Sequence, residues 1–219
     1  MKKMLALTSI RSDFDLMSLL YHKLNNDPKI ELKLLVSGAH LSERYGRTVD
    51  TIKNEGFETL LEVESLVSSD TGSARLKTAS CFLSSCIDVV KGYCPDIIIY
   101  SGDREDVLIG GMLSSFLGIP GVHFFGGDHA CDGYVDNQVR HATSKLSTMH
   151  FVSTSSQRER LVSLGEHEKR IRVIGSVALD KFKQERVLER FDLLDRIGAK
   201  HHAYKYKIAT LVYHPILQE

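Results

Sequence analysis

Short β-prone runs recur along this chain, separated by stretches too long for hairpin turns and long enough to hold a helix. KMLALTS (3–9), ELKLLVS (31–37), DIIIYSG (96–102), GVHFF (121–125), MHFVST (149–154) and IRVIG (171–175) read as strands. The segments 12–26, 42–55, 73–93, 104–118, 133–146, 155–164 and 177–196 carry helical periodicity. Strands joined by helical crossovers pair in parallel, with helices on both faces of the sheet. The unbroken apolar run Ile97–Tyr100 agrees, because a central parallel strand is covered on both sides and has no reason to alternate. The expected fold class is therefore α/β, a doubly wound parallel sheet.

In such sheets ligands bind beyond the carboxyl ends of the strands. The unusual polar residues fall there: IRSDFD after the first strand, GAHLSERYG after the second, GDRED after 96–102 and GGDHACDG after 121–125. All four loops share one edge of the expected sheet. The 219 residues suit one α/β domain with something appended, and YKYKIATLVYHPILQE supplies a further strand at 205–213 that looks like the start of a second domain.

Charge narrows the partners. Lys plus Arg and Asp plus Glu number 28 each, so no net field favours a nucleic acid or an anionic membrane. The apolar run in MKKMLALTSIRSDFD is too short for a signal peptide or a membrane span. The four cysteines show no CxxC spacing, which suits reduced thiols in a cytoplasmic protein better than disulfides or zinc.

Individual residues leave alternatives open. Asp103 is a candidate acid and equally a candidate helix N-cap. Arg11, beside the first helix N-terminus, could hold a phosphate or pair with Asp13 or Asp15. The segment from His123 to His141 is the densest in polar chemistry, with Gly126 and Gly127 followed by Asp128, Asp132 and Asp136. A metal cage of His123, Asp128, His129 and Asp132 matches no established ligand spacing, so no metal is expected. The helix with Asn137, Arg140 and His141 could be a solvated face or part of a site.

Taken together, TSIRSDFD, SGAHLSERYGRTVDTIKNEGF, SGDRED, GIPGVHFFGGD, VDNQVRHATSKLSTMHFVST, RIRVIG and YHP occur in an order that resembles the hydrolysing UDP-N-acetylglucosamine 2-epimerases of sialic and legionaminic acid biosynthesis. That resemblance implies two Rossmann-like domains facing each other, as in glycosyltransferases of the B type, with 1–203 as the amino-terminal domain and 204–219 as the start of the UDP-binding one. It implies elimination of UDP from a UDP-N-acetylhexosamine, then addition of water, with no cofactor. It also implies a homo-oligomer, dimer or tetramer.

Position by position, the resemblance gives Asp103, Asp128, Asp136 and His214 as catalytic groups. It gives Arg11, His40, Arg104, His123, Arg140 and His141 as substrate-binding groups, with Arg140 and His141 supporting the acid loop.

Three departures from the family pattern stand out. Phe125 replaces a glutamate found in some relatives two residues after the histidine, Asp128 replaces the glutamate of GGE, and Asn137 stands where a second acid is frequent. Two residues are also inserted in DHACDGYV relative to some members. Shortening a carboxylate by one methylene moves it enough to alter rate greatly. The sequence therefore leaves three readings: an epimerase or its catalytic half, a glycosyltransferase acceptor domain, and a non-catalytic homologue. An isolated chain lacking the main UDP contacts is expected to turn over poorly.

Overall fold

The computed structural model describes residues 1–131, 135–184, 188–199, 207 and 209–212. Seven parallel strands form one sheet in the order β3-β2-β1-β4-β5-β6-β7. They are β1 (Lys2–Thr8), β2 (Ile30–Ser37), β3 (Thr59–Val63), β4 (Ile97–Ser101), β5 (Gly121–Phe124), β6 (Met149–Val152) and β7 (Ile171–Val173). The helices are α1 (Arg11–Asn25), α2 (Val49–Asn54), α3 (Gly72–Tyr93), α4 (Glu105–Leu117), α5 (Asp136–Leu146), α6 (Ser155–Ser163), α7 (Val177–Gln184) and α8 (Arg190–Arg196). The doubly wound parallel sheet expected from the sequence is the fold observed.

The sheet has a core on each face because successive side chains of a strand point in opposite directions. Ala6, Leu34, Val36 and Ile99 pack on one face with Phe14, Met17 and Tyr21 of α1 and Val49 and Ile52 of α2. Leu5, Leu7, Leu35, Ile98 and Tyr100 pack on the other with Phe82, Cys86 and Val90 of α3 and Val107, Ile109 and Leu113 of α4. The apolar run in β4 therefore serves both cores. Each large aliphatic or aromatic side chain so buried stabilises the fold by about 1.5–3 kcal/mol.

Local chemistry sets the helix starts. Thr71 accepts from the Ala74 amide to cap α3, and Thr154 and Gln157 form a reciprocal capping box on α6. Gly110, in α4, has no room for a side chain: a Cβ there would lie 2.8 Å from the Tyr100 ring. The helix thus approaches β4 closely.

Two expected elements differ. The helix expected over 42–55 is instead one short 3-10 turn, Glu43–Tyr45, and then α2, with a further 3-10 turn at Gly38–Leu41 just before them. Gly46 and Arg47 both adopt left-handed backbone, with φ of 81° and 44°, which ends the helical path. The edge strand β3 was not among the expected strands; its burial pattern, intermediate along most of its length, lacks a strong alternation.

The chain divides into two compact units, Met1–Asp180 and Lys181–Glu219. Within 177–196, where one helix is expected, residues 185–189 separate α7 from α8, and of these 185–187 are outside the described set. Of the strand expected at 205–213, Lys207 and residues 209–212 are described and none lies in a strand. Among the described residues no helix is long and apolar enough to cross a membrane.

Candidate active site

The strand order reverses direction between β1 and β4, the position where doubly wound sheets bind ligands. A cleft of about 900 Å³ opens there, at the carboxyl edge. Ser9 and Asp13 line it from the β1–α1 loop and the first turn of α1, Gly102 to Asp106 from the β4–α4 connection, and Phe125 and Asp128 from the loop after β5. Asp136 and Arg140 enter from α5, and Arg75 from α3.

Arg140 organises the acids. Its guanidinium donates to the Asp103 carboxylate and, through Nη1, to the carbonyl of Phe125 at 3.2 Å. Nη1 also lies 3.6 Å from Asp128 Oδ2. The Arg140 side chain is 9% exposed, so these interactions form largely out of water, where charge pairs are stronger. Asp103 does not cap α4: the N-cap position is Arg104, without a side-chain cap bond.

The backbone that carries Asp103 is held from β5. Gly102 has φ of 96°, donates to the Phe124 carbonyl at 3.1 Å and accepts from His123 Nε2 at 2.9 Å. A carbonyl can only accept, so His123 carries its proton on Nε2 and Nδ1 accepts from the Ser144 hydroxyl at 3.0 Å. Complete burial pushes the imidazole pKa down to about 3, which keeps this tautomer neutral. His123 does not line the cleft; it acts through Gly102.

The loop after β5 is built under constraint. Phe125 adopts φ of 62°, a conformation that bulky residues rarely take, while its amide donates to the Phe151 carbonyl and its carbonyl faces Arg140. Gly127, at φ of 73°, lies so close to α6 that a Cβ would approach the Gln157 carbonyl oxygen to 2.4 Å. Asp128 follows with an exposed carboxylate that accepts from the His129 amide at 2.9 Å.

Asp136 is the first residue of α5. Its pKa is raised, chiefly by burial and then by the charge of Asp103, while Arg75 and Arg104 oppose the rise. Arg75 bonds Glu105 through Nε at 3.0 Å and Nη2 at 2.8 Å, and Nη2 stands 3.6 Å from Asp136 Oδ1.

A second network closes the β1 side. Thr8 donates to Asp13, so it accepts from His40 Nε2 at 2.9 Å, and His40 Nδ1 then accepts from Thr48 at 2.7 Å. Asp13 also accepts from the Ser9 amide at 3.1 Å. Asp106, buried beside Asp13, has its pKa raised to about 7 by burial first and by the Asp13 charge second.

Of the residues expected from sequence, Asp103, Arg104, Asp128, Asp136 and Arg140 converge on the cleft. His40 and His123 are buried behind it. His141 stacks on His129 of the acid loop, with ring centroids 6.4 Å apart, and burial lowers its pKa. Arg11 is exposed at the start of α1, 3.7 Å from Asp15 and outside the cleft lining. His214 and Asp132 lie outside the described residues. Arg75 was not among the expected residues, since an Arg within a helix looks like ordinary surface charge, and Glu105 and Asp106 fall in the GDRED loop placed at this edge from sequence without being singled out there. Among the described residues no group of three or more His, Cys, Asp or Glu could hold a metal ion.

The chain is 34% identical over 218 residues to a UDP-N,N'-diacetylbacillosamine 2-epimerase (hydrolyzing) of Legionella pneumophila, covering 100% of this chain and 56% of that protein. It is 32% identical over 215 residues to the GDP/UDP-N,N'-diacetylbacillosamine 2-epimerase (hydrolyzing) of Campylobacter jejuni, covering 98% and 55%. The chain thus spans about half the length of the curated relatives it matches. The fold is shared with the UDP-GlcNAc 2-epimerase from Neisseria meningitidis bound to UDP-GlcNAc, with a TM-score of 0.71 and 17% identity over 91% of this chain and 52% of that one. The Methanocaldococcus jannaschii enzyme in complex with UDP-GlcNAc and UDP gives 0.73 and 20% over 90% and 51%. The sequence model of the family described as UDP-N-acetylglucosamine 2-epimerase matches residues 22–219, and the chain belongs to that family.

Proposed function

We propose that the protein carrying this chain is a hydrolysing nucleotide-sugar 2-epimerase, converting a UDP-N-acetylhexosamine and water into UDP and the free 2-epimeric sugar. The observation that carries the reading is that Asp103, after β4, and Asp128, after β5, meet at Arg140 while Asp136, at the start of α5, lines the same cleft. Carbon-bound protons next to an acetamido group are poorly acidic, so their removal requires a positioned base of raised basicity.

Asp136 fills that role: burial and the neighbouring Asp103 charge raise its proton affinity, and it lines the cleft. It takes the C2 proton as the C1–O bond to the diphosphate breaks, UDP leaves with the bonding pair and a glycal forms. Asp128, the most exposed of the three carboxylates and able to exchange with solvent, delivers a proton to C2 on the opposite face. Water completes the addition by placing a hydroxyl on C1 and leaving its proton on Asp128, and Asp136 returns the C2 proton to solvent. Asp103, fixed by Arg140, stands beside Asp136 and orients the sugar.

The departing diphosphate needs donors aimed at its developing charge. Arg104 and the N-terminus of α1 supply them on this side of the cleft. Uridine and the remaining phosphate contacts belong to a second domain starting within 204–219, with His214 as its first contribution. Proton transfer and leaving-group departure require no electron carrier, so the reaction is assigned no cofactor.

The test is UDP release by the full-length protein from UDP-N-acetylhexosamines with no acceptor present. Asp103→Asn and Asp136→Asn should each lower the rate at least about 100-fold. UDP release that appears only when an acceptor sugar is added would make the protein a glycosyltransferase instead.

A further inference from the structure

We propose that Arg75 is a positioning residue of this site, holding Asp136 in place and ionised, while Glu105 fixes Arg75. The inference rests on the epimerase reading only for the role of Asp136; the geometry of Arg75 stands by itself.

Three helix N-termini meet here. Arg75 lies four residues into α3, and Glu105 and Asp136 are the first residues of α4 and α5. Acids at helix N-termini are favoured by the helix dipole, whereas an arginine there is not. Arg75 is offset by the two carboxylates: a forked pair of bonds to Glu105 at 3.0 and 2.8 Å, and an approach to Asp136 at 3.6 Å. A forked arginine–carboxylate pair fixes the plane of the guanidinium. Glu105 consequently holds Nη2 of Arg75 where it also stands 3.6 Å from Asp136 Oδ1. All three side chains are 20–34% exposed, so water screens the pairing only partly.

The charges facing Asp136 among the described residues explain why it needs this partner. Asp103 and Arg104 face it from the β4–α4 connection and Arg75 from α3, with Glu105 at the start of α4 bonded to Arg75; Arg140, one turn along α5, is engaged with Asp103 and near Asp128. Asp103 and burial both favour the protonated carboxyl, and a protonated Asp136 cannot accept a proton from carbon. Arg75 supplies the larger part of the opposing charge, ahead of Arg104. Glu105 withdraws part of it, which leaves Asp136 basic as well as ionised.

The experiment follows the Asp136 carboxyl directly, by ¹³C NMR titration of the full-length protein labelled at aspartate Cγ, assigned with Asp136→Asn. Arg75→Met should move the Asp136 midpoint upward by about one pH unit, Arg75→Lys should restore part of it, and Glu105→Gln should move it downward. In UDP-release assays the acidic limb of the pH profile should shift with the same sign in each variant, with kcat affected more than KM. Unmoved midpoints, or shifts of the same sign in Arg75→Met and Glu105→Gln, would overturn the inference. If the wild-type protein releases no UDP, the epimerase reading fails, and the NMR arm still decides the role of Arg75.

Discussion

Arg140 on α5 donates to the carboxylate of Asp103 at the end of β4, joining residues 37 apart in sequence across the floor of the cleft. One guanidinium therefore fixes an acid, holds the carbonyl of the left-handed Phe125 and approaches Asp128. A forked donor is needed for three acceptors in different directions, which a single ammonium group cannot reproduce.

Arg140→Lys should accordingly lower kcat by about 10²–10³, the scale set by misplacing a reacting group by an ångström. Thermal stability should fall by only about 1–3 kcal/mol, because Asp103 keeps some access to water. Steady-state UDP release and a melting curve on the same variant measure both effects.

His123 gives a complementary test, since it lies outside the cleft and holds Gly102. His123→Phe keeps the ring shape but leaves the Gly102 carbonyl and the Ser144 hydroxyl without this partner. The expected result is a loss of about 1–3 kcal/mol in stability and a fall in kcat with KM changed little. Chemical denaturation and substrate titration separate the two.

Asp106 predicts a pH dependence of stability. Its folded pKa, raised to about 7, exceeds that of an unfolded aspartate near 4. The folded chain therefore binds more protons than the unfolded one between those values, and stability is lost as pH rises from about 4 through about 7. Asp106→Asn should flatten that slope and be more stable than wild type at pH 8, by roughly 1–3 kcal/mol. Denaturant midpoints at pH 5 and pH 8 for both proteins check the sign.

The sheet was legible because hydrophobic runs such as Ile97–Tyr100 report burial on two faces directly, and the structure divides that run between the two cores. Loop placement followed from parallel pairing, which carried Asp103, Asp128 and Asp136 to one edge. The helix expected over 42–55 failed on Gly46 and Arg47, whose left-handed conformations depend on the turn that surrounds them. Arg75 and Asp106 were not singled out, for a different reason. Their importance comes from partners on other elements, Glu105 and Asp136 for one and Asp13 for the other, and no local pattern encodes those encounters.

The proposed function requires the carboxylates of this cleft to exchange the C2 proton of a nucleotide sugar while UDP is expelled. Incubating the full-length protein with a UDP-N-acetylhexosamine in D₂O, and examining the products by NMR and mass spectrometry, tests it most directly. The expected products are UDP and a free sugar inverted at C2 and carrying one deuterium on that carbon. Release of a sugar that keeps its original C2 configuration and its protium would show simple hydrolysis and contradict it.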